Sequence, residues 1–139
     1  MTTAPGPLSR HGERVIRWVQ NPIDLSSEDS EPQPDVTLLR PRSDFYARSH
    51  PAAGDVLLLI EVMDTSVERD RRVKLPVYAR AGIREVWLLD LSTDRLEVHR
   101  GPTPNGFREV RVHPRGDSVA AEAFPDVAIG VDDLLGAAG

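Results

Sequence analysis

Apolar residues along this chain fall in short, strand-length runs divided by polar stretches bearing proline and glycine, with one basic helical stretch among them. The longest run, Val56 to Met63, alternates cleanly. Val56, Leu58, Ile60 and Val62 are expected on one face, and Leu57, Leu59, Glu61 and Met63 on the other. Both faces are apolar until Glu61, which predicts a central strand covered on both sides. Strands are also predicted over Arg14–Val19, Asp35–Leu39 and Glu85–Asp90, with a short one at Pro22–Leu25 after the Asn21-Pro22 turn signal. Arg95–Arg100 and Phe107–Val112, reached through Ser92-Thr-Asp94 and Gly106, predict an antiparallel meander. Residues 66–81 read as a helix, with Thr65 and Glu68 placed for a capping box, Gly82 as a left-handed terminator and Pro76 as an internal kink. Residues 26–33 are a loop. Pro41 to Gly54 is the longest irregular segment, either a substrate-binding loop or an insertion. The tail holds short apolar pieces around Val119, Phe124 and Ile129 and a turn at Asp132–Leu135.

With 139 residues, the chain has room for one core. Residues 1–13 are expected to be loosely attached, 14–135 to form one domain, and 136–139 to be a flexible tail. Composition is 40% apolar, yet no apolar stretch approaches membrane-spanning length. The first residues lack the basic patch and hydrophobic stretch of a signal peptide. The absence of cysteine excludes disulfides, thiolate zinc sites and cysteine nucleophiles, and agrees with a cytoplasmic location. A net charge of -5 argues against a protein that coats nucleic acid non-specifically. It leaves room for a nuclease, because Arg69, Arg71, Arg72, Arg80 and Arg84 gather around the predicted helix and a divalent metal offsets clustered acids.

Lys74 is the one lysine among 17 lysine and arginine residues. Retaining it amid so much arginine suggests a need for a compact ammonium. On a helix over 66–81, Asp70, Val73, Lys74, Val77, Tyr78 and Ala81 share one face, whose valines and alanine would press on the sheet. The amine then either snorkels outward or meets an anion. Glu61 in mid-sheet is costly unless a cation or hydrogen bonds meet it. Asp35 opens the preceding strand, though Pro-Asp also starts turns. Two carboxylates converging at a strand edge repel unless a divalent cation lies between them. Oxygen ligands favour magnesium or manganese, with the Val62 carbonyl as a further ligand. Lys74 would orient or help deprotonate the attacking water, or offset phosphate charge. Asp70 either orients Lys74 or pairs within its helix. Tyr78, Trp18 and Trp87 read as packing residues. His11, His50, His99 and His113 lack a metal-site spacing.

Pro34-Asp35-Val36, Ile60-Glu61-Val62, Arg69-Asp70 followed by Lys74, Tyr78-Ala-Arg-Ala-Gly82 and Glu85-Val-Trp87-Leu-Leu-Asp90 resemble the Uma-two family of restriction-endonuclease-like proteins. Arg95 to His99 and the Phe124-Pro-Asp-Val127 to Leu134-Leu135 ending are similar to it as well. The resemblance covers roughly residues 14–135. It implies an α/β (α+β) restriction-endonuclease-like fold: a mixed β-sheet with a flanking helix and a C-terminal antiparallel meander. It also implies the superfamily pattern of Asp followed by Glu-x-Lys, PD-(D/E)xK. By that analogy Asp35 and Glu61 are metal ligands; Met63 stands at the usual lysine position, so Lys74 would supply the amine from the helix. Two departures from the family pattern follow. Only thirteen residues precede Arg14, so the chain looks short at its N-terminus, which would expose a sheet surface and favour a homodimer, or leave an inactive remnant. Asp64 adds an acid near the centre, as a metal ligand or a helix cap. The resulting expectation is a cytoplasmic, Mg- or Mn-dependent endonuclease acting on nucleic acid, DNA foremost. The alternative is a non-catalytic interaction or regulatory protein on the same scaffold.

Overall fold

The computed structural model describes residues 16–19 (backbone only), 23–25, 35–44, 46–47, 49–63 and 73–136. Eight strands are described: β1 (Ile16–Val19), β2 (Val36–Leu39), β3 (Val56–Met63), β4 (Glu85–Asp90), β5 (Arg95–Thr103), β6 (Gly106–Pro114), β7 (Ser118–Val119) and β8 (Ile129–Gly130). Helix α1 is Leu75–Ala81 and α2 is Val131–Leu135. β1 to β6 form one sheet in sequence order, and β7 pairs with β8 in a second, two-stranded sheet. Within the large sheet only β3 and β4 run parallel. That parallel step is the one α1 connects, as a parallel pair requires a crossover. The restriction-endonuclease-like mixed sheet with its meander is therefore the fold.

Apolar clusters cover both faces of the sheet. On one side Leu59, Met63, Val86 and Leu88 meet Tyr78 and Ile83 with Ile23, Leu25 and Tyr46. On the other, Leu58, Ile60, Trp87, Leu89, Leu96 and Val98 meet the C-terminal segment at Val119, Phe124, Val127 and Val131. This explains why β4 is buried along its whole length and why it carries apolar residues on both faces.

The alternation expected for β3 holds from Leu58 to Met63 and inverts before it. Val56 joins the helix-side cluster and Leu57 the opposite one. The cause is a register irregularity: Leu38 pairs with Leu58 but Leu39 with Val56, so Leu57 is left out of the ladder. A bulge of this kind turns the following side chains to the other face. Of the short strand expected at Pro22–Leu25, residues 23–25 are described, with Asp24 and Leu25 in bridges. Asp24 makes a single parallel bridge to Ala52, while Ile23 and Leu25 are buried.

The helix expected over 66–81 is described from Leu75 onward, with Lys74 at its N-cap. Pro76 falls in the first turn, where its missing N–H costs no intrahelical bond. The expected continuous face fails at Val73, which is 61% exposed. Within α1 the predicted face does meet the core: Tyr78 is buried and Val77 and Ala81 pack against the helix-side cluster, with Ala79 buried beside them. Gly82 does terminate it, at φ 85°, with the Ile83 N–H reaching back to the Tyr78 carbonyl at 3.0 Å. Asp70, Asp64, Thr65 and Glu68 lie outside the described residues.

Candidate functional site

β3 runs apolar until Glu61, two residues before its C-terminal end. There the side chain is fully buried, in an environment that penalises an ionised carboxylate without partners. The Tyr78 hydroxyl on α1 donates to Glu61 Oε2 at 2.6 Å, a length typical of a charge-assisted O–H···O⁻ bond. Tyr78 is itself fully buried. Its backbone N–H donates to the Lys74 carbonyl at 3.0 Å, which opens the first turn of the helix. Tyr78, a packing residue by its sequence pattern, is thus the side chain that α1 delivers to the strand acid. The signal for that role lies in its spacing, one helical turn beyond Lys74.

Asp35 arrives from the other side. Val36 pairs with Ile60, so continuing the register by one residue sets Asp35 opposite Glu61. Its Oδ2 accepts the Val62 N–H at 2.7 Å, which pins the carboxylate against the main chain next to Glu61. The turn reading of Asp35 thereby gives way to a cross-strand role.

Lys74 is half-buried at the N-cap. Among the described residues its ammonium makes no ion pair with Asp35 or Glu61. The structure thus joins Asp35 to Val62, sets Asp35 opposite Glu61 and adds Tyr78, one helical turn after Lys74. The donor chemistry at the strand end, two carboxylates and a main-chain carbonyl, suits a hard divalent cation. Among the described residues, no group of three or more His, Cys, Asp or Glu side chains is placed to hold a metal ion.

Two other acids have clear structural work. Glu85, fully buried on the opposite face, accepts from Trp87 Nε1 and Arg100 Nε at 2.8 Å each through Oε2, and from the Glu122 N–H at 2.8 Å through Oε1. Arg100 also donates to the Ala120 carbonyl at 2.6 Å, so this carboxylate ties the C-terminal segment to the sheet. Asp90 ends β4 and accepts the Ser92 hydroxyl and the Ser92 and Thr93 N–H groups through one oxygen. Burial pushes its carboxyl up, but these hydrogen bonds outweigh that and hold it below the usual carboxylate range.

The irregular segment before β3 is knitted together in its described part. Arg42 bonds Asp44 at 2.6 Å and lies 3.9 Å over the Tyr46 ring. The hydrogen bond from Arg42 also holds the Asp44 carboxyl below its ordinary value. The Tyr46 hydroxyl donates to the Arg40 carbonyl at 2.7 Å. Burial raises its phenol above the ordinary value, and the ring anchors the segment to the helix-side core.

A parallel β3–α1–β4 step with acids facing each other at the end of β3, inside a mixed sheet, defines a nuclease-like scaffold of the PD-(D/E)xK kind. The chain belongs to the Uma2 family, described as "Putative restriction endonuclease", whose sequence profile matches residues 6–132. It is also similar in fold to a crystal structure of "a putative nuclease belonging to DUF820" from Anabaena variabilis. That match has 17% identity and a TM-score of 0.71, and covers 91% of this chain and 70% of the other. No curated protein matches the chain. No helix among the described residues is long and apolar enough to cross a membrane.

Proposed function

We propose that this protein is a metal-dependent endonuclease that hydrolyses phosphodiester bonds in nucleic acid, with DNA as its substrate. Asp35, Glu61 and the Val62 carbonyl would hold magnesium or manganese. The bound cation would supply Lewis-acid stabilisation of phosphate charge and a more acidic water. The chain's own residues do the positioning. The Val62 N–H holds Asp35, the Tyr78 hydroxyl holds Glu61, and Lys74, oriented by Asp70, lies one turn along α1 to meet the phosphate or the attacking water. One observation carries this reading: the Asp35 carboxylate is fixed at 2.7 Å to the backbone N–H of the residue that follows Glu61.

A second reading, a non-catalytic protein on the same scaffold, is favoured by Met63. This residue is fully buried at the position where the superfamily pattern places its lysine. A cleavage panel on duplex DNA, single-stranded DNA and RNA, with magnesium or manganese, decides between the two. The nuclease reading expects cutting that disappears with chelator and in Lys74→Ala. Absence of cutting on every substrate by a folded wild-type protein would leave the scaffold reading standing.

A further inference from the structure

Among the described residues the large sheet ends at β6, and this edge is long and carries two exposed valines. β6 runs for nine residues, and Val110 and Val112 are 52% and 50% exposed. Natural edges of that length are shortened, bulged, covered or blocked with charge, because their open main chain invites another strand. The charges on β6 do not block every partner. Glu109 and Arg111 flank Val110 and share a face, where they pair at 2.6 Å.

We propose that β6 is a self-association edge, at which a second copy of this chain adds its own β6 antiparallel across a two-fold axis through Val110. The charges select this register. A two-fold perpendicular to the sheet pairs only residues that share a face, so alternative registers slide by two. Centred on Val110, the pairing sets Glu109 opposite Arg111 of the partner, twice, with Val110 against Val110 of the partner and Arg108 against Val112 of the partner. Centred on Glu109 or on Arg111, it sets like charges directly opposite each other, which is destabilising. The edge is thus complementary to itself in one register and repulsive in its neighbours. Two copies would make a continuous sheet of twice the width, with both halves of the exposed valine pair covered. This inference goes beyond the nuclease reading and stands apart from it, since it is read by mass and not by cleavage.

Analytical ultracentrifugation of the full chain across a wide concentration range tests it, with thermal melts as the control for folding. The wild type is expected to show a monomer–dimer equilibrium. Glu109→Arg and Arg111→Glu, each alone, place two like-charge pairs across the axis and should weaken association by roughly tenfold or more. The double variant E109R/R111E restores complementarity and should recover it. The decisive arm mixes the two single variants: one strand is then wholly basic and the other wholly acidic at these positions, and a heterodimer should form where neither variant dimerises alone. A change confined to the intramolecular pair cannot produce that result. A strictly monomeric wild type overturns the proposal, and so does a dimer indifferent to the single swaps or a mixture that stays monomeric.

Discussion

Glu61 and Glu85 stand on adjacent, parallel strands, both fully buried, yet they face opposite sides of the sheet. Glu85 faces the C-terminal segment and is met by a guanidinium, an indole N–H and a main-chain N–H. Its negative charge is answered on the spot, and its two oxygens are committed to holding chain segments together. Glu61 faces α1 and takes the neutral Tyr78 hydroxyl, beside a second carboxylate that the sheet has fixed at the same strand end. A buried acid matched to a guanidinium is a brace. Glu61 instead shares its strand end with a second acid, and it is there that the nuclease reading would place a cation.

Replacing each glutamate tests the contrast most strongly. Under the nuclease reading Glu61→Gln abolishes metal-dependent cleavage while the protein stays folded, as circular dichroism will show. Glu85→Ala should do the reverse. It strands Arg100 and the Glu122 N–H around an emptied site, which costs about 3–5 kcal/mol and lowers Tm by roughly 10 °C or more. If Glu85→Ala is as stable as wild type, the brace assignment is wrong.

Tyr78→Phe reduces the effect to one atom. The ring still fills its place in the helix-side core, and only the hydroxyl on Glu61 disappears. Hydrogen bonds to charged groups contribute about 1.5–3 kcal/mol, which chemical denaturation resolves. Under the nuclease reading cleavage should fall as well, because Glu61 loses one of the contacts that orient it. Lys74→Ala separates the two readouts further. A half-buried N-cap residue whose ammonium makes no ion pair among the described residues should change stability by no more than about 0.5 kcal/mol, so any loss of cutting in that variant reports on chemistry.

The contrast is partly legible in the amino-acid sequence. β4 spans the predicted Glu85–Asp90, because an apolar run bounded by a glycine-led turn and Ser92-Thr-Asp94 leaves little latitude. Glu61 stands out as an acid ending an apolar strand. Glu85 carries the same mark at the start of β4, and its partner comes into view only when the meander folds back and places Arg100 directly opposite. Two features are not accessible to periodicity. The bulge that leaves Leu57 out of the ladder depends on the partner strand. The turn at Lys74 between helical Val73 and Leu75, and the exposure of Val73, are local departures that a regular helical period does not foresee. The expectation for Lys74 rests on the reach of a long side chain, while the tyrosine one turn later meets Glu61 directly.

Asp90 supplies the finest test, because it lies at the end of β4 beside Met63 and resembles a further ligand by position alone. Its contacts say otherwise: one oxygen gathers three donors from the turn that follows, and its carboxyl is held below the usual range. A group whose folded pKa lies below its unfolded value stabilises the protein fully above the unfolded value, about 3.9 for aspartate. That stabilisation fades as pH falls toward the lower folded value. Thermal melts from neutral pH down to about pH 3 should therefore show wild type losing stability below about pH 4, with a shallower loss in Asp90→Asn, which starts from a lower Tm. Cleavage by Asp90→Asn at neutral pH should match wild type under the nuclease reading. If this variant instead loses cutting while its acid limb is unchanged, Asp90 belongs with Glu61 and not with Glu85, and the division between the reacting and the bracing acids has to be redrawn at the end of β4.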